Sequence, residues 1–162
     1  MIKPILLTAV CLLAFAKVAL AADPTAEELA GILTGDAMVD EGANPQCALF
    51  SSDEIAAYVG EPVLAGENAG MGMGCQWVAI AGEGDAMVTV VPSEYAERPT
   101  LAPGFKEVTS VGPDAFVVPE MGGWAAGVTK GDSFVKVSVA GPEASEESAL
   151  DLLVEVLKRR GE

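Results

Sequence analysis

Two cysteines constrain this chain more than any other residues. Cys47 closes "ANPQC" and Cys75 stands in "MGMGCQW". Whether they bridge depends on the compartment, and the first residues speak to that. "MIKPILLTAVCLLAFAKVALAADP" opens on Lys3, runs apolar from Pro4 to Ala16, and places small Ala19 and Ala21 just before a cleavage point. This layout predicts a signal peptide over 1–21, removed on export to the periplasm or the medium. The apolar run is short for a bilayer and Lys17 interrupts it, so no integral membrane segment is expected after cleavage. Cys11 follows Val10 and is itself followed by further apolar residues, a setting that does not suit lipidation. Cleavage removes Cys11 and leaves an even pair. In an oxidising compartment that pair predicts a Cys47–Cys75 disulfide. Closing such a loop stabilises a fold by about 3.5 kcal/mol, a large share of the ~5–15 kcal/mol that holds a typical domain.

The same cleavage takes away Lys3 and Lys17 but no acid, moving the net charge from −15 to −17. A surface of that sign repels phosphates, which argues against a nucleic-acid partner and against anionic membranes. It suits solubility in a salty medium, a cationic partner or divalent ions. The chain has no histidine, and so lacks the commonest general base and the commonest metal ligand. What remains is long enough for one domain with a real core.

Residues 22–46 read as peripheral. Leu29, Ile32 and Leu33 fall on one side of a short helical pattern, and "EGANP" then makes a linker. The domain proper spans 47–162. In "ALFSSDEIAAYVGEP", Ser51 and Glu54 match a capping box and Phe50 and Ile55 a hydrophobic staple. Gly60 suits a left-handed cap, so a helix is expected over 52–59. Short β-prone runs follow: "CQWVAIA", "AMVTVV", "FKEVTSV", "AFVVP", "WAAGVT" and "SFVKVSV". Val135, Val137 and Val139 alternate with Lys136 and Ser138, which predicts one buried and one wet face. The last segment, 143–160, has Ala149, Leu150, Leu153, Val154, Val156 and Leu157 at helical spacing. Acids at its start and Lys158, Arg159 and Arg160 at its end suit the helix dipole.

Residues 77–91 and 124–139 align without gaps. Trp77 meets Trp124, Gly84 meets Gly131, Asp85 meets Asp132 and Val88 meets Val135. The match raises duplication as an origin; hairpins of one design are expected whatever the origin. The fold class is therefore α+β: an antiparallel sheet of five to seven strands, two main helices packed on one face, and one disulfide.

Three chemistries compete for "MGMGCQW". Met71, Met73 and Cys75 offer soft ligands for copper(I), with Met87 and Met121 in support. Cys75 is alternatively a reactive thiol. In the third reading the glycines form a loop, Cys75 is bridged and Trp77 enters the core. The third is favoured, because a bridge removes the thiolate that the others need and no histidine is present to activate one. Asp85 and Asp132 occupy matching turns and hold calcium only if those turns converge; forming the turns is the simpler role. No phosphate loop, dinucleotide fingerprint or nucleophile elbow occurs. No catalytic residue and no cofactor is assigned.

"CALFSSDEIAAYVGEPV", the glycine-rich loop with "GCQW", "VTSVGPDAF", "VTKGDSFVKVSV" and the final helix together resemble a family of small exported proteins and lipoproteins, mostly actinobacterial, of unknown function. Its members share a Cys-x-Leu start to a short helix and a Gly-x-x-Cys-x-Trp segment. The likeness covers about residues 45–160. This chain departs from it in lacking a lipidation cysteine and in having "VGPDAF" where a longer Gly-Asp-Glu turn is usual. The resemblance implies a 47–75 bridge and an extracytoplasmic role, and no activity. The function expected is an exported, non-enzymatic module that binds an envelope or extracellular protein or a small ligand. The alternatives are a copper-handling protein using Met71 and Met73, or a carboxylate-based enzyme.

Overall fold

The computed structural model describes residues 44–162. The expected signal peptide and all but the last three residues of the 22–46 segment lie outside them.

Helix α1 (Ser52–Val59) starts and stops where its local signals lie. The Ser51 hydroxyl accepts from the Glu54 amide at 3.4 Å, and the Glu54 carboxylate accepts from the Ser51 amide at 2.8 Å. Gly60 takes the left-handed conformation at φ 89° and ends the helix. Helix α2 (Glu146–Arg160) begins three residues later than the apolar pattern suggests. Ser145 supplies the cap: its hydroxyl accepts from the Ser148 amide at 3.1 Å, and the Ser148 hydroxyl returns the bond. Residues before it are held in a turn by the Glu143 amide donating to the Val59 carbonyl.

Among the described residues seven strands form one antiparallel sheet: β1 (Glu67–Ala69), β2 (Gly74–Val78), β3 (Asp85–Pro92), β4 (Lys106–Glu107), β5 (Phe116–Glu120), β6 (Gly123–Lys130) and β7 (Ser133–Ala140). Their order is β1-β2-β3-β7-β6-β5-β4. The pairs 1–2, 2–3, 4–5, 5–6 and 6–7 join strands consecutive in sequence, while the long β3–β7 ladder joins the two halves and runs from Asp85 opposite Ala140 to Pro92 opposite Ser133. Both helices lie on one face. Ile55 and Val59 of α1 and Leu152, Leu153 and Val156 of α2 share one core with Trp77, Val88, Val117, Ala126, Val135 and Val137. On α2 it is Leu152, not Val154, that is buried; Val154 faces solvent.

Cys47 and Cys75 are bridged, with sulfurs 2.00 Å apart and Cα atoms 5.2 Å apart. The bridge ties the turn leading into α1 to strand β2. Beside it Trp77 is fully buried, with the Phe50 ring edge-on at 6.3 Å. Gly66 makes this packing fit: a Cβ there falls 2.7 Å from both the Cys75 sulfur and the Trp77 ring.

The two aligned hairpins share a design but not a register. Trp77 pairs with Ala86, whose counterpart in the alignment is Ser133, yet Trp124 pairs with Val139. The β6–β7 turn is tight, with Gly131 at φ 54°, while the β2–β3 turn is wider and its positive φ falls on Gly82 rather than Gly84. Trp124 is accordingly only half-buried.

Candidate functional site

Among the described residues the sheet's second face carries no α-helix. Its cover there is the segment 93–105 between β3 and β4, which folds back over β5, β6 and β7. Phe105, Phe116 and Phe134 stack in a row, with centroids 5.6 Å and 6.3 Å apart. Gly127 on β6 leaves room for them: a Cβ there would come within 2.9 Å of the Phe116 ring. A small second core results, built on Phe116, Val118, Ala125 and Phe134.

Next to this cover the face opens into a groove of about 710 Å³. Thr89 and Val91 of β3 and Phe134 and Lys136 of β7 come from the sheet; Tyr95, Glu97, Arg98 and Pro99 come from the covering segment; Met73 and Glu120 complete the lining. Strand alternation explains the sheet residues. With Val88, Val135 and Val137 turned to the helices, their neighbours Thr89, Phe134 and Lys136 must face the other way. The volume falls within the ~300–1,000 Å³ usual for small-molecule sites, and the mix of an apolar lining with a few charged groups is theirs too.

Two of the chain's few cations stand here. Lys136 Nζ meets Glu120 at 2.7 Å, and Arg98 Nη2 meets Glu107 at 3.2 Å. The Arg98 guanidinium also lies 5.8 Å from the centre of the Phe105 ring. Its Nε is buried and has no hydrogen-bond partner among the described residues. Further along the same side, Val78 and Ile80 alternate with buried Trp77 and Ala79, and both are exposed.

The shifted acids lie elsewhere, where α1 meets α2. Arg159 of α2 stacks on Phe50 at 4.2 Å and donates to Glu155 at 2.9 Å, to Glu54 at 2.8 Å and to the Leu49 carbonyl. The hydrogen bond from Arg159, then those from Ser51, lower the Glu54 pKa to about 2. Glu155 is lowered chiefly by the same arginine, and Tyr58 is raised chiefly by burial. Carboxylates held ionised by a neighbouring guanidinium are ion-pair partners; a general acid needs its pKa pushed the other way.

The residues singled out from sequence scatter. Cys75 is locked in the bridge and supplies no thiolate. Met71 and Met121 project into solvent, and of the four methionines weighed for copper only Met73 lines the groove. Asp85 and Asp132 do not converge. They sit at opposite ends of β7, roughly 24 Å apart at ~3.4 Å per residue, because the β3–β7 ladder places Asp85 beside Ala140 and the β6–β7 turn places Asp132 beside Ser133. Asp85 accepts from the Gln76 amide at 3.0 Å, and the Asp132 carbonyl accepts from the Ser93 amide at 2.8 Å. Among the described residues no three His, Cys, Asp or Glu side chains gather to hold a metal, and no helix is long and apolar enough to cross a membrane.

Sequence reasoning missed Arg98, Lys136, Val91, Phe134 and Tyr95 as a group. They come from two strands and a loop that are distant in sequence. The one available hint was "SEYAERPTLAPGF", a stretch too rich in proline to extend a strand yet holding aromatics in need of cover. No family model, no curated protein and no solved structure matches this chain, so the family resemblance rests on its quoted motifs alone.

Proposed function

We propose that this chain is an exported, non-enzymatic binding module whose ligand occupies the groove on the helix-free face. The observation that carries the reading is the groove itself: an apolar floor of Val91, Phe134 and Met73 beside Arg98 and Lys136, on a sheet whose other face is fully used by the core. The bridge supports the export half of the reading, since a disulfide persists where the compartment is oxidising. The non-catalytic half is supported by the acids around Arg159, whose shifts are downward and belong to a helix-to-helix contact.

Amide chemical-shift mapping with a library of small amphiphiles and short peptides tests it. Shifts concentrated at residues 89–99 and 134–136, and abolished by Val91→Trp, are the expected result. Shifts centred elsewhere, or turnover of any library member, overturn it. Copper(I) taken up by the oxidised protein would restore a metal-handling role for Met71 and Met73.

A further inference from the structure

The groove's charges, considered donor by donor, say which kind of ligand it takes. This inference rests on the groove being the ligand site and goes on to name the ligand's chemistry. A guanidinium has five N–H donors in a planar fork and an ammonium has three. Of Arg98's donors, one is engaged within the described residues, at 3.2 Å to Glu107, and its Nε is buried without a partner. Of Lys136's three, one reaches Glu120. The Arg98 and Lys136 side chains are 31% and 32% exposed, open enough for a ligand to reach and shielded enough for a charge-assisted bond to count. Glu107 and Glu120, their present partners, are 63% and 40% exposed, so solvent already solvates those carboxylates and they can share the cations. The rest of the lining includes Val91, Phe134, Pro99 and Met73, which offer nothing to a polar body.

We propose that the groove binds a small amphiphile with one acidic head, a carboxylate or a phosphate: the head takes the accessible donors that Arg98 and Lys136 leave unused among the described residues, and the apolar body lies along Val91, Phe134 and Met73. The overall charge of −15 opposes any anion at long range. Screening limits that field to about 8 Å at physiological ionic strength, so the two cations at contact distance decide the outcome. Glu97, the remaining acid of the lining, is exposed and meets the same screening.

The test holds the tail constant and changes the head. Dodecanoate, dodecyl phosphate, dodecanol and dodecylammonium are titrated into the oxidised chain below their micelle-forming concentrations, in parallel with Val91→Trp, Arg98→Gln and Lys136→Gln. The expected order places the two anions about tenfold or more ahead of the alcohol, with the amine weakest, and the better anion identifies the head. Arg98→Gln brings the anions down to the level of the alcohol and leaves the alcohol unchanged. Lys136→Gln gives the same pattern and serves if Arg98→Gln fails to fold. An amine that binds best, or four tails that bind equally, overturns the acidic-head inference while leaving the groove as a binding site. Absence of binding by all four, or binding indifferent to Val91→Trp, overturns the inference and removes its support from the groove reading as well.

Discussion

The two faces of the sheet are built on different terms. The helix-covered face is secured several times over: two capped helices, a disulfide, a buried tryptophan and an arginine that stacks on Phe50 while gripping Glu54 and Glu155. The other face is covered over part of its width by one irregular segment and a row of three phenylalanines. The first face spends its residues on cohesion. The second places the partly exposed cations Arg98 and Lys136 beside an apolar lining, the composition of a small-molecule site. The main core and the proposed groove thus lie on opposite sides of one β-sheet, so each can be perturbed with little effect on the other.

That separation can be broken in steps. The largest expected effect is at Trp77. Trp77→Ala removes a fully buried ring from the bridged core and is expected to cost about 3–5 kcal/mol, whereas Phe105→Ala on the other face, where the ring is half-buried, costs about 1.5 kcal/mol. Urea denaturation of the two variants measures the contrast, and equal losses would mean that the faces are equally responsible for the fold. The next step is the crosslink. Replacing Cys47 and Cys75 together by alanine is expected to remove about 3.5 kcal/mol. Hydrogen exchange in that variant should rise first around α1 and β2 and leave β5, β6 and β7 nearest to their original protection; a uniform rise would deny that the bridge acts on one face.

The smallest effect sharpens the comparison through pH. Glu54 has its folded-state pKa lowered from 4.5 to about 2, first by the hydrogen bond from Arg159. A lowered carboxyl contributes stability above its unfolded pKa and loses it as pH falls through the folded one. The α1–α2 corner should therefore have this contribution in full above pH 4.5, lose it progressively as pH falls below 4.5, and have none left below about 2. A carboxyl carbon titration of Glu54 with its midpoint near 4.5 would show that the Arg159 contact is not formed in solution. Since this carboxylate is open to solvent, the change in overall stability is expected to be slight.

Much of the covered face was legible in the residues. Ser51, Glu54 and Gly60 set both ends of α1, and the cysteine parity set the bridge. The final helix was readable too, though its start was not, because Ser145 and Ser148 cap each other with short hydroxyls where a glutamate is the usual sign. The far face was less legible. β1, with the sequence "ENA", has no alternation to betray it and exists because β2 offers it an edge. "FKEVTSV" reads as a full strand and forms only two strand residues, Lys106 and Glu107. β6 reads as weakly patterned because Ala125, Ala126, Gly127 and Val128 are all buried, half of them beneath a loop that no local rule predicts.

By itself the sequence determined the caps, the alternation of the strands and, given the expected loss of Cys11, the pairing of Cys47 with Cys75. Each of these depends on neighbours within one or two turns of chain, or on simple parity. Only the tertiary structure decided that β3 lies against β7, that the two aligned hairpins take different registers, that Asp85 and Asp132 stand apart, and that Arg98 and Lys136 line one groove. Those outcomes turn on which distant surfaces bury one another best, and no run of consecutive residues carries that choice.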